Sequence, residues 1–280
     1  MSYTAEINRN NPSCFLFLID QSGSMQNPFN AAEGRRPKSE ALADAINRLL
    51  QNLIIKCAKS EGIRDYYHVG VIGYGGAGVG SAFGGVLAGK ELVPVSLLGN
   101  SPIRVEERTK RIDDSAGGLV TEVVKFPIWF EPKAHGGTPM REALEQAHHV
   151  LSKWLVSHQK SFPPIVINIS DGKPSDGSPV AAAQDLMTLS TADGETLLFN
   201  LHISSARMRP LEFPEGEHLL PDEHARMLFG ISSPLPEYMR HMLAAEGVNT
   251  FLTSRAFVFN ADLVSVIRFL DIGTRPANLR

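Results

Sequence analysis

The chain reads as an α/β protein: a doubly wound, mainly parallel sheet with helices on both faces and one antiparallel edge strand. Two observations predict this. Short apolar runs that end abruptly in polar residues recur along the 280 residues, and stripes of helical period lie between them. Continuous apolarity, as opposed to alternation, marks strands covered on both faces.

In chain order, the first run is Cys14-Phe15-Leu16-Phe17-Leu18-Ile19. A helical stripe follows at Leu42, Ile46, Leu49 and Leu53, then a second apolar run from Tyr67 to Tyr74. From Gly75 to Gly89 the chain is glycine-rich, and extended, partly alternating segments follow around Glu91 to Leu98 and Ile103 to Ile112. This stretch predicts an edge strand and an inserted hairpin. The next stripe is Met140, Leu144, Ala147, Leu151 and Leu155, and the third run is Pro164 to Ile169. Ser178-Pro179 and Ser233-Pro234 each place a hydroxyl before a proline and predict helix starts. Between and after them lie the runs Leu197 to Ile203 and Ala256 to Phe259, and a last stripe at Leu263, Val266 and Leu270. With no fixed-period repeat and no separating linker, residues 1–280 read as a single domain with an insertion at about 79–133.

Composition bounds the function. Hydrophobic residues make up 43% and charged residues 20%, as in ordinary globular proteins, so disorder is excluded as the main state. Lys plus Arg is 27 against 30 for Asp plus Glu, and a net charge of -3 argues against non-specific binding of nucleic acid or anionic membrane. Cys14 and Cys57 both sit in apolar patterns and read as buried reduced thiols, which points to the cytoplasm. Met1 to Ser13 is polar, without an apolar stretch behind a basic start, so export and membrane spanning are not expected.

In an open α/β sheet, ligands bind outside the carboxyl ends of the strands, so polar residues there carry the most information. Asp20-Gln21-Ser22-Gly23-Ser24 ends the first strand with a carboxylate and two hydroxyls, a hard-oxygen set. Gly136-Gly137-Thr138-Pro139 places Thr138 at the mouth of a strongly periodic helix, where it reads either as a ligand or as a helix cap. Asp171-Gly172 follows the third apolar run and reaches the same rim, as a ligand or as a turn residue.

In their order and element context these pieces resemble the von Willebrand factor A domain with its metal-ion-dependent adhesion site. The family pattern is DxSxS after the first strand, a later Thr before a helix, and an Asp after the fourth strand. Asp20, Ser22, Ser24, Thr138 and Asp171 match it. The resemblance covers roughly residues 10 to 272. It implies a bound Mg2+, with Mn2+ or Ca2+ as possible substitutes, held by the three hydroxyls with the carboxylates acting directly or through water. It further implies one open position for an Asp or Glu of a partner protein.

Three features depart from the family. Met25 to Pro37 is a long connection that leads, with Arg35 and Arg36, into Lys38 and reads as a segment that shields or extends the binding face, and Gly75 to Lys133 is an unusual insertion; His135 beside the Thr138 loop reads as a solvated residue, or else as one facing a partner. The string Ser170-Asp171-Gly172-Lys173-Pro174-Ser175-Asp176-Gly177 is similar to that of free-standing bacterial intracellular members. Some of those are encoded beside a kinase and a phosphatase, which implies a signalling or stress-response setting. Asp176 reads as a turn or helix-start residue, or as a group orienting the ligands.

Rival motifs fail on context. Gly73, Gly75 and Gly78 spell GxGxxG, but more glycines follow where a dinucleotide site needs a helix. Gly84 to Lys90 has phosphate-loop spacing, but Glu91 replaces the metal-binding hydroxyl and Pro94 disrupts the helix required. Nucleotide binding is therefore not expected. His148, His149 and His158 lack zinc spacing, and no catalytic residue is assigned. An aspartate-based phosphatase needs a second carboxylate two residues after the first, where this chain has Ser22. The expectation is thus a non-enzymatic, Mg2+-dependent protein-binding module, with a metal-dependent phosphohydrolase as the alternative.

Overall fold

Nine consecutive buried residues, Ser13–Gln21, form the central strand β1. Their side chains alternate between two cores: Phe15, Phe17 and Ile19 pack on one face of the sheet, and Cys14, Leu16 and Leu18 on the other. Burial on both faces is why the sequence shows an unbroken apolar run here. The computed structural model describes residues 3–28, 36–113, 119–203, 209–262 and 265–269.

Beyond β1 the elements run α1 (Lys38–Cys57), β2 (Tyr67–Gly75), β3 (Gly78–Ser81), β4 (Val93–Pro94), α2 (Val95–Asn100), β5 (Arg104–Asp113) and β6 (Leu119–Ile128). Then follow α3 (Met140–Leu155), β7 (Ile165–Ser170), α4 (Val180–Thr188), β8 (Leu197–Ile203), β9 (Leu211–Glu212), α5 (Glu223–Gly230), α6 (Glu237–Ala245) and β10 (Phe257–Ala261). A parallel core in the spatial order β10-β8-β7-β1-β2 carries antiparallel β3 and β4 on β2 and antiparallel β9 on β10. The fold class is therefore the one expected, with antiparallel strands at both edges where the sequence suggested one. Successive parallel strands depart in opposite directions from β1 and β7, which makes the gap between their carboxyl ends the topological switch point.

Helix α1 covers the first face with Leu42, Ile46, Leu49 and Leu53, and α3 covers the second with Met140, Leu144, Ala147, Leu151 and Leu155. Both stripes are buried, as their spacing predicts. Residues 265–269 are helical and Val266 is buried, while Leu263 and Leu270 lie outside the described residues. Both cysteines are buried and free. No helix among the described residues is long and apolar enough to cross a membrane.

Two local expectations are corrected. Ser233 does not start a helix: its hydroxyl accepts the Leu198 amide at 2.9 Å, Pro234 bridges to Arg255, and α6 begins only after Pro236. At Ser178 the expectation fares better, because Pro179 takes helical dihedrals and the Val180 amide points to the Ser178 hydroxyl at 3.4 Å. The segment expected as extended around Glu91 to Leu98 instead contains the short helix α2, anchored by buried Val95 and Leu98. The hairpin is present as β5 and β6, paired along their whole length.

Candidate metal centre

Strand β1 runs on past its apolar residues through Asp20 and Gln21, so Asp20 is still inside the sheet and only 1% exposed. A buried carboxylate must be satisfied by donors. The Ser22 amide donates to Asp20 Oδ1 at 2.8 Å and the Ser170 hydroxyl to Oδ2 at 2.7 Å. Burial pushes the Asp20 carboxyl above the usual carboxylate range; those two hydrogen bonds oppose the shift, and nearby Asp171 adds to it.

After Asp20 the chain closes a single 3-10 turn, Gly23–Gln26, which brings the Ser22 and Ser24 hydroxyls within 3.0 Å of each other. The Ser24 hydroxyl donates to Asp171 Oδ1 at 2.5 Å, which joins the end of β1 to the loop after β7. Thr138 lies across from both. Its hydroxyl has no hydrogen-bond partner among the described residues, so it does not cap α3, whose capping residue is Pro139. A Cβ placed on Gly172 would lie 3.2 Å from Thr138 Oγ1 and 3.7 Å from Ser24 Oγ, so both hydroxyls converge on one small hollow beside Asp171. All five residues singled out in the sequence thus meet at the switch point.

The loop bearing Thr138 is placed largely by backbone. Gly23 N donates to Gly136 O, His135 N to Gln21 O, and Gly76 N to His135 O, at 2.8 to 2.9 Å. Gly136, at φ +73, approaches so closely that an added Cβ would stand 2.3 Å from the Gly76 Cα. Here lies the use of the glycine-rich run: Gly73 and Gly75 leave room for Gln21, Gly76 seats the Thr138 loop, and β3 begins at Gly78 where a dinucleotide fold would open a helix. His135 contributes its backbone, and its side chain is exposed.

Sequence reading missed Ser170, Ser175 and Lys38. Ser175 clasps Thr138 twice, its hydroxyl accepting the Thr138 amide at 2.8 Å and its amide donating to Thr138 O at 2.9 Å. Next to it, the Asp176 carboxylate accepts the amides of Arg141 and Glu142 and so caps α3 from outside that helix. Lys38, the first residue of α1, reaches Asp171 Oδ2 with its ammonium at 2.8 Å, and the two side chains are 5% and 1% exposed. The sequence signal was the basic cluster of Arg35, Arg36 and Lys38 ending the long connection, which did not point to Asp171 as the partner of Lys38. Residues 29–35 of that connection, Arg35 included, lie outside the described residues.

Two carboxylates and three hydroxyls are a donor set for a small hard divalent ion, since neutral hydroxyls complete a shell without excess negative charge. The free Thr138 hydroxyl at the hollow fits such an ion. Among the described residues there is no cluster of three or more His, Cys, Asp and Glu side chains able to hold a metal.

Among solved structures, the chain is similar to the ArnB paralog VWA2 from Sulfolobus acidocaldarius, with 15% identity over 69% of this chain and a TM-score of 0.33. It is also similar to the vWF domain of the type V pili tip protein Mfa5 from Porphyromonas gingivalis, with 16% identity over 59% of this chain and a TM-score of 0.30. The matches span 35% and 39% of those two chains. No protein-family model and no curated protein matches this chain.

Proposed function

We propose that this protein is a Mg2+-dependent protein-interaction module of the von Willebrand factor A type, and that it is not an enzyme. The observation that carries the reading is the convergence of Ser24, Thr138 and Asp171 at one hollow, tied through Ser22 to Asp20. When bound there, the ion supplies an electrophilic position for one carboxylate of a partner protein. The protein's own residues do the remainder. Asp20 and Asp171 balance charge, the three hydroxyls present oxygen without adding charge, and Ser170, Ser175 and Asp176 hold the contributing loops in register.

A phosphohydrolase needs a titratable acid beside its nucleophilic carboxylate. Position 22, where that acid belongs, is a buried serine bonded to Ser24.

The test is the melting temperature in EDTA and in millimolar Mg2+ or Mn2+, for wild type and Thr138→Ala. A saturable rise in wild type that EDTA reverses and Thr138→Ala abolishes supports the reading. No divalent response in wild type overturns it.

A further inference from the structure

We infer that Lys38 is the resident cation of this site, and that a divalent ion has to displace its ammonium from Asp171 in order to bind. The inference rests on reading these residues as a metal centre. It deepens that reading by naming the residue that sets metal affinity.

Both Asp171 oxygens are engaged. The Ser24 hydroxyl holds Oδ1 at 2.5 Å and the Lys38 ammonium holds Oδ2 at 2.8 Å. The ammonium arrives on a braced backbone, because Lys38 N donates to Asn27 O at 3.0 Å and Pro28 bridges to Pro37, which pins the base of the connection beside the DxSxS turn. Two carboxylates buried together repel, and a buried carboxylate without a counter-charge is costly. Lys38 reduces the net charge of the Asp20, Asp171 and Lys38 group from two negative charges to one, so the cluster stands without metal.

A Mg2+ ion on Asp171 would face this ammonium at short range, where like charges repel strongly in a poorly hydrated site. Lysine suits the displaceable role, being a compact charge on a flexible stem that can carry it out to water. The hydroxyls and Asp20 do not depend on it. Its loss should therefore tighten metal binding and at the same time weaken the metal-free fold.

Calorimetric titration of Mg2+ into the full chain tests this, with wild type, Lys38→Met, Lys38→Gln and Lys38→Arg. Both neutral variants should bind Mg2+ at least tenfold more tightly than wild type, and Lys38→Arg, which keeps the charge, should not. In EDTA the neutral variants should melt below wild type, and saturating Mg2+ should close the gap. Lys38→Gln retains a hydrogen-bond donor and stands in if Lys38→Met fails to fold. Equal or weaker Mg2+ affinity in a folded neutral variant overturns the role of Lys38 and leaves the metal centre intact. No Mg2+ binding by wild type or by any folded variant overturns both.

Discussion

The hydroxyl of Ser170 donates to Oδ2 of Asp20 at 2.7 Å, joining the ends of two neighbouring strands across 150 residues of sequence. Ser170 is 1% exposed, and its hydroxyl also accepts the Gly172 amide at 3.2 Å, so it positions the Asp20 carboxylate from the start of the loop that carries Asp171. Ser170→Ala removes a donor from a buried carboxylate. It should cost about 1–3 kcal/mol of stability by urea unfolding and weaken Mg2+ affinity by about 10–100-fold. Full metal affinity in this variant would show that Asp20 needs no such support.

Gly136→Ala tests the backbone placement of Thr138. The new Cβ meets Gly76 Cα at 2.3 Å and sits on a residue at φ +73, so the loop has to move. The sheet should persist by circular dichroism, while the metal-induced rise in melting temperature falls to the level of Thr138→Ala. Retention of the full rise would mean that Thr138 is not held by this contact.

Ligand and core substitutions should separate cleanly. Thr138→Ala deletes an unbonded hydroxyl at the rim and should change metal-free stability by about 1 kcal/mol or less. Leu16→Ala, fully buried in β1, should cost about 2–5 kcal/mol through lost burial and a cavity. Chemical denaturation of both variants in EDTA measures the difference. Equal losses would place Thr138 in a structural network.

Stability should fall between pH 6.5 and about 4 through His202. Burial, and then neighbouring His224, lower this imidazole from 6.5 to about 4, with Lys38 adding in the same sense and Asp222 and Asp171 opposing. In that window the unfolded chain binds a proton that the folded chain refuses, so stability is full above 6.5 and is lost as pH falls. The loss attributable to His202 is at most about 3 kcal/mol. His202→Asn, which keeps an acceptor for the Asn260 amide, should flatten the slope in urea unfolding measured at pH 7.5, 6 and 5. An unchanged slope would assign the loss to other groups.

How far the sequence carried depended on the kind of interaction. Strand β1 was legible because burial on both faces demands an unbroken apolar run, and α1 and α3 because their buried faces repeat at helical spacing. The five candidate residues were singled out because Asp20, Ser22, Ser24 and Asp171 put oxygen-bearing side chains at or just past the ends of apolar runs, and Thr138 puts one at the mouth of a helix. Lys38 was not, since its ion pair with Asp171 spans 133 residues and nothing local marks it. Ser233 misled for a similar reason: a serine before a proline has the local chemistry of a cap, and the amide of Leu198 in β8 claims it. Gly73 and Gly75 matched a dinucleotide-binding pattern because close approach to a backbone glycine is needed in both cases, here to seat Gln21, whereas Gly78, at φ +92, only turns the chain into β3.

Crystals grown in millimolar Mn2+ and measured at the manganese absorption edge test the central claim most directly. The account predicts one anomalous peak in the hollow beside Gly172, within coordination distance of the hydroxyl oxygens of Ser22, Ser24 and Thr138, with the Lys38 ammonium withdrawn from Asp171. A site still filled by the Lys38 ammonium, with no anomalous peak there or with a peak only elsewhere on the protein, would contradict it.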